Sequence, residues 1–402
     1  MRLLFAFVVL LSIHFAAQAQ KKERVMLLTN EAIQLEATDA LNAMYNFKFD
    51  EAETKFMEFQ ERYPDHPMPY FLMALSNWWK MMPDLENEKF TERYVGDFFK
   101  YTEIAIEKGE KAFKEDDENE ELAFILAATY GFKGRYYAER HAFVKAAGSG
   151  NKALQYLFKF KGRSDLSPEF LFGDALFNYY AEWLKQEYAL LRPILAFFPK
   201  GDKTLGIKQL KEVAYNAFYT RTEAQYFLMR IYYNEENRED LAYPMAEYLG
   251  TTFPNNPYFQ RMHARLSFSQ GKWLETEKIS LDILYKINIG MPGYEAISGR
   301  YASFFLGHIN KYYYHDKQKA KLYFEKAMVF AEQSEATEMN YYLFAAAELA
   351  RIANEEKDYS KAKRYYQIII DNSDNNHELH KEAKAYLSSK KKEEKKKKSW
   401  WW

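Results

Sequence analysis

Asp358-Tyr359-Ser360-Lys361-Ala362, with Leu349-Ala350 ahead of it and Tyr366 and Ile369 behind, carries the spacing that decides the fold. Ala362, Tyr366 and Ile369 are separated by steps of four and three. Ala52, Phe56, Phe59 and Pro64 step by four, three and five, and Ala242, Ala246, Leu249 and Pro254 repeat those steps. Ala105, Gly109, Ala112 and Asp117 do so again, and Ala320, Phe324 and Ala327 follow the first two. Steps of three and four share one face of a helix. The small residue lets a second helix approach a first, and the ring fills the space beside it. Asn237 and Gly271, 34 residues apart, fall at the same tight turn of successive helix pairs.

Working outward, helical periodicity extends over about 25–387 with no alternating strand pattern. Few helix breakers, 11 Pro and 16 Gly among 402 residues, favour long helices joined by short turns. The first pair is predicted at 29–45 and 50–63, with Asp50 as N-cap and Glu53 closing a capping box. A long helix is predicted over 120–145, broken by Gly148-Ser149-Gly150, and Ser167-Pro168 starts another reaching about 191. Pro193, Pro199 and Gly201 mark the expected boundary between two halves. The last pair is expected at 340–356 and 359–371, covered by a capping helix at 378–388.

These residues resemble the tetratricopeptide repeat family. Gly271-Lys272-Trp273 looks like its Gly-x-Tyr turn, and Leu306-Gly307 resembles the Leu-Gly pair of its first helix. The resemblance is good at 40–64, 222–287 and 340–375 and poor at 120–200. It implies an all-α, right-handed α-solenoid of about seven to eight helical hairpins with an irregular middle section. It also implies scaffolding or peptide recognition along the concave first-helix face, with no catalytic residue in the signature.

Composition narrows the function. A formal charge of −1 argues against a general nucleic-acid binder. The absence of Cys excludes disulfides, thiol catalysis and thiolate zinc sites. Arg2, the apolar run 3–13 and Ala17-Gln18-Ala19 read as a cleavable secretion signal over 1–19. An exported, Cys-free chain of this kind resembles periplasmic proteins of Gram-negative bacteria, particularly Bacteroidota. The expected organisation is then 20–192, N-terminal repeats with long irregular helices; 193–388, C-terminal repeats and capping helix; and 389–402, a disordered Lys-rich tail. The run 390–398 holds seven Lys and two Glu, and Ser399 precedes Trp400-Trp401-Trp402. Lys390–Trp402 therefore offers a peripheral contact to an anionic membrane surface.

No catalytic, cofactor or metal set stands out. His377-Glu378-Leu379-His380 spaces its histidines three apart, not the four of a zinc-protease helix, and reads as solvated polar residues. Gly148-Ser149-Gly150-Asn151-Lys152 lacks the rest of a phosphate loop and reads as a helix-to-helix turn, whose following amides offer a weak anion site. Adjacent Trp78 and Trp79 point about 100° apart on a helix; packing between helices is the favoured reading, and one ring in the core with the other exposed is the alternative. Exposed Trp suits a peptide or glycan platform. Arg135, Tyr137, Glu139, Arg140 and His141 put charge into the irregular region, with Arg135–Glu139 and Tyr137–His141 each four apart. Together with the two Trp they are the candidate partner-binding residues. The expected function is a non-enzymatic periplasmic adaptor, peripheral to the outer membrane, that binds a protein or peptide without cofactor or metal. The alternatives are a glycan-binding or transport accessory protein using exposed rings and, behind it, an enzyme with a site in the irregular middle.

Overall fold

The computed structural model describes residues 26–163, 167–187, 192 and 199–399. It is all-α: seventeen α-helices and no strand occur among the described residues. They form eight successive hairpins and a final helix. The hairpins are α1 (Glu31–Tyr45) with α2 (Phe49–Arg62), α3 (Met68–Met81) with α4 (Glu88–Glu115), α5 (Glu120–Glu139) with α6 (Phe143–Phe160), and α7 (Pro168–Glu187) with α8 (Lys203–Asn216). Next come α9 (Arg221–Arg230) with α10 (Glu239–Thr252), and α11 (Pro257–Ser269) with α12 (Trp273–Asn288). Then α13 (Ala296–Tyr312) pairs with α14 (Lys317–Gln333), α15 (Asn340–Glu355) pairs with α16 (Tyr359–Asp371), and α17 is Glu378–Ser399.

The alanines of the four-three spacing do what the spacing requires. Ala52, Ala105, Ala242, Ala320 and Ala362 are fully buried on second helices, with Phe56, Phe324 and Tyr366 buried beside the outer ones. The turn marked by Asn237 and Gly271 recurs more widely than those residues indicate. Phe47, His141, Asn237, Gly271, His315 and Lys357 all hold positive φ, from 51° to 71°, between the helices of their hairpins. The next residue's N–H reaches back to a carbonyl of the preceding helix, as in Lys48 to Ala43 (2.9 Å), Lys272 to Ser267 (2.9 Å) and Asp358 to Ala353 (2.9 Å). This is a Schellman-type close, in which a left-handed residue caps free carbonyls. Five of the six positions are not glycine, which hides the motif from a reading that looks for Gly.

Several local expectations are corrected. The N-cap of α2 is Lys48, not Asp50, and it makes no side-chain cap bond. Glu53 instead faces Lys80 (2.6 Å) and accepts from Ser76 (2.6 Å), so it joins α2 to α3 rather than closing a capping box. The helix predicted over 120–145 ends at Glu139, and the chain turns through Arg140, His141 and Ala142. Gly148-Ser149-Gly150 lies inside α6, so its amides are tied into the helix and offer no anion site. His380 is buried, with Nδ1 against the Ser373 carbonyl (3.0 Å), rather than solvated. The Lys-rich run is helical through Ser399, as the end of α17, where disorder is expected. The predicted signal over 1–19, most of the 193–201 break and Trp400–Trp402 lie outside the described residues. No described helix is long and apolar enough to cross a membrane.

The two sides of the 193–201 break are packed together. A Cβ on Gly206 of α8 would meet Tyr179 N at 2.7 Å and Ala175 O at 2.8 Å, so glycine alone permits this approach to α7. One buried apolar core extends from Leu27 to Leu266 and a second from Ala264 to Ala383. The change of core therefore falls within α11.

The row of hairpins also curls back on itself. Trp79 of α3 meets Tyr45 of α1, Tyr226 of α9 and Phe259 of α11 edge to face, with ring centroids 5.2, 5.5 and 5.2 Å apart. The Asn256 amide donates to the Tyr45 carbonyl (2.8 Å), and Arg261 donates to the Pro83 carbonyl (3.0 Å). The first two hairpins thus lie against the fifth and sixth, and their rings fill part of the inner face that first helices present. Two buried carboxylates tie further segments in. Glu121 accepts from the Leu27 and Leu28 amides (2.7 and 2.9 Å), and Glu169 accepts from three consecutive amides of the α8–α9 loop.

Candidate binding groove and cavity

On the inner face the first helices α9 and α11 carry arginines and tyrosines at steps of three and four, and α13 carries an adjacent pair. They are Tyr226, Arg230 and Tyr233; Tyr258, Arg261 and Arg265; and Arg300 with Tyr301. Arg135 of α5 joins the row from the side. The guanidinium of Arg135 lies 5.3 Å from the centre of the Tyr226 ring, and that of Arg265 lies 4.8 Å from Tyr233 and 5.7 Å from Tyr301. Arg261 sits 5.5 Å from Tyr258 and 5.6 Å from Tyr301, and Arg300 is 5.2 Å from Tyr301. Guanidinium over an aromatic face is an attractive contact. Arg261 and Arg300 are buried, Arg261 donating to the Ser298 hydroxyl and the Pro83 carbonyl and Arg300 to the Ala336 carbonyl, while Arg230 and Arg265 are partly exposed. Helix α9 contributes through a distortion: it continues as a π-turn over Ile231–Glu235, closed by Glu236 N–H to the Ile231 carbonyl (2.9 Å). Such wide turns recur at functional sites, and this one carries Tyr233.

The electrostatics of the row are unusual. Among the described residues, Arg230, Arg261, Arg265 and Arg300 have no carboxylate within ion-pairing distance, and Arg135 reaches only Glu139, at 4.0 Å. The Tyr226 hydroxyl accepts from both Arg135 and Arg230, the latter at 3.3 Å. Among the described residues, two buried guanidinium nitrogens of the row have no hydrogen-bond partner, Arg135 Nη1 and Arg300 Nε. Burial pushes the Arg261 guanidinium below its usual range. Burial also raises the Glu223 carboxyl, against the Trp79 N–H bond and the positive charge of Arg135.

The sequence-predicted residues divide. Trp78 and Trp79 are both fully buried, in keeping with the favoured reading of packing between helices; the alternative of one exposed ring as a partner platform is corrected. Arg135 stacks 4.7 Å over Trp78 and lies at the row. Tyr137 packs against Phe99 and Tyr136. Arg140 holds the Leu85 carbonyl (2.9 Å) and the Thr91 hydroxyl, so its work is to tie α5 to α4. Exposed His141 occupies the left-handed turn, edge-on to Phe143. The five residues of 135–141 therefore do not converge on one point. Arg230, Arg261, Arg265 and Arg300 were not singled out from sequence, although their spacing with Tyr was a signal for them.

A cavity of about 400 Å³ opens beside Arg135, between α5, α6 and α7, with Phe227 of α9 at its edge. A wider cleft of about 590 Å³, with Lys211, Arg221, Tyr232 and Tyr248 in its walls, lies between α8, α9 and α10.

One cluster has donors suited to a metal ion: Glu247, His263 and Glu275 bring ligand atoms within 4.8 Å of one another. The structure shows them as a hydrogen-bonded set. Tyr243 Oη is 2.9 Å from Glu247 and 3.1 Å from both oxygens of Glu275, and His263 Nε2 is 2.7 Å from Glu275. Lys272, 3.8 Å from Glu275, already supplies a cation. Burial lowers the pKa of His263 and, on α13, of His308. A histidine whose folded pKa lies below its unfolded value of about 6.5 takes up its proton more readily when unfolded. Its contribution is present above that value and is lost as pH falls through the window below it. Urea midpoints at about pH 7.5 and pH 5.5 are expected to show a larger acid loss for the wild type than for H263Q/H308Q. Buried acids such as Glu169 and Glu223 remain in both proteins and cancel in the difference. Equal losses would refute neutral burial of these two rings.

Compared with known proteins, the chain matches no family model and no curated protein sequence.

Proposed function

We propose that this chain is a non-enzymatic adaptor of the cell envelope that binds an acidic segment of a protein partner along its Arg–Tyr row. The observation that carries this reading is that Arg230 and Arg265, partly exposed on one face, have no described carboxylate within ion-pairing distance. An unpaired, partly desolvated cation is costly to hold, and an acidic segment placed along the row offsets that cost at several points. Planar guanidinium forks suit bidentate contact with carboxylates. Helical hairpins present such a row rigidly, which supports binding by preorganisation. The envelope location rests on the predicted export signal. The glycan alternative asks for coplanar exposed rings, and the exposed pair Tyr313–Tyr314 is crossed at 74°.

The test is crosslinking and pulldown from envelope fractions with the wild type and with R230E/R265E, both checked for unchanged melting. Wild type is expected to retain a defined protein partner at low salt and to lose it as salt rises, because screening weakens charge attraction. The charge-reversed variant is expected to recover none. Recovery that is indifferent to the two reversals, or polysaccharide binding with no protein partner, would overturn the proposal.

A further inference from the structure

The cavity between α5, α6 and α7 has an unusual wall. Phe124, Phe132, Leu157, Phe172 and Leu176 face into it, and among the described residues Arg135 is the only charged one that lines it. Its volume, about 400 Å³, lies in the range of small-molecule sites, roughly 300–1,000 Å³. The space is held open by glycine. Gly131 on α5 and Gly150 on α6 both line it, and a Cβ on either would meet no atom within 4 Å. Each lies inside a helix, where glycine costs about 1 kcal/mol relative to alanine. No close packing of helices accounts for that cost at either position.

The polar end is equally specific. Arg135 is fixed from several sides, by the Trp78 ring at 4.7 Å, the Phe227 ring at 5.4 Å and the Tyr226 hydroxyl. Its Nη1 is nonetheless buried without a hydrogen-bond acceptor. Arg230 adds a second cation through the same Tyr226 hydroxyl. An apolar chamber with one fixed guanidinium at its edge, one of whose nitrogens lacks an acceptor, complements an apolar molecule with one anionic end.

We propose that this cavity binds an aliphatic carboxylate of the fatty-acid class, its chain among the phenylalanines and leucines and its carboxylate on Arg135. The site goes beyond the adaptor reading, and its tests use Gly131, Gly150 and Arg135 rather than the residues reversed above. Either reading can therefore fail alone.

The experiment titrates the purified full chain with 11-(dansylamino)undecanoic acid, followed by dansyl fluorescence, and displaces it with decanoate, decan-1-ol or acetate. Wild type is expected to bind the probe and to release it to decanoate at about tenfold lower concentration than to decan-1-ol, with acetate inert. That ratio is the scale of one charge-assisted hydrogen bond. R135Q is expected to bring decanoate and decan-1-ol within about threefold of each other, and R135K to restore part of the preference. G131L, and independently G150L, are expected to weaken the probe at least tenfold while melting as wild type. The proposal is overturned if wild type does not bind the probe or if folded R135Q keeps the full preference for decanoate. It is also overturned if a glycine variant that melts as wild type binds as wild type.

Discussion

Glu169→Leu is expected to destabilise the protein by about 3–5 kcal/mol, because it leaves four buried donors without their acceptor at roughly 1–3 kcal/mol each, offset in part by added apolar burial. Glu169 is fully buried on α7. One oxygen accepts the amides of Phe218 (2.6 Å) and Tyr219 (3.0 Å), and the other accepts the amide (2.9 Å) and hydroxyl (2.6 Å) of Thr220. These donors lead into α9, whose N-cap, Thr220, makes no side-chain cap bond of its own. A carboxylate from about fifty residues away thus takes the place of a local cap, near the positive end of the helix. Burial raises its pKa while the four donors restrain the rise. Leucine fills the volume but leaves four buried donors unpaired. Glutamine keeps one acceptor and turns an NH₂ toward the remaining donors, so an intermediate loss is expected. Stability by urea denaturation and amide exchange at Phe218–Thr220 are the readouts. A loss below about 1 kcal/mol for Glu169→Leu, less than one unpaired buried donor costs, with exchange unchanged, would show that water replaces the carboxylate.

The outer repeats were legible because their signature is a packing rule. Ala52, Ala242 and Ala362 are small where second helices must approach, and a spacing of four and three is visible in any window. The interior of the chain was less legible for three physical reasons. First, the turn at His141 uses a non-glycine residue at positive φ, so the chain turns where the sequence pattern suggests a continuing helix. Second, glycine is ambiguous: Gly148-Ser149-Gly150 reads as a break, yet it stands within α6, and Gly150 faces open space instead of a neighbour. Third, the curl of the hairpins brings Tyr45 onto Glu223, 178 residues away, and no local pattern reports such a contact. The Arg–Tyr row lies between these cases. Its period was present in α9 and α11, but a stripe of Arg and Tyr on a helix reads as an exposed face until the fold shows Arg261 buried and no described carboxylate within ion-pairing distance of Arg230 or Arg265.

Trp79→Ala is expected to cost about 3–5 kcal/mol and to act at a distance. Trp79 is fully buried, and its ring is shared by α1, α9 and α11, the first helices of hairpins one, five and six. Its Nε1–H donates to Glu223 (2.7 Å), whose second oxygen already lacks a partner. Alanine removes three edge-to-face contacts and leaves Glu223 with the Tyr45 hydroxyl alone, at 3.2 Å. Trp79→Phe keeps most of the ring contacts and loses the donor, so about 1–3 kcal/mol is expected from the unsatisfied carboxylate alone. In a row of hairpins each unit is ordinarily supported by its neighbours, and damage stays near the substitution. Here the closure makes hairpins that are distant in sequence into neighbours. Amide exchange should therefore quicken in α1 and α3 and also in α9 and α11, while α15 and α16, packed on the second core, keep their protection. Faster exchange confined to α3 and α4 would mean that the curl is held elsewhere, at Asn256 and Arg261. The Arg–Tyr row would then keep its shape without this ring. If protection falls in both places, Trp79 is the pin that sets the distance between Arg135 and Arg230, and a residue with no surface of its own controls what the inner face presents.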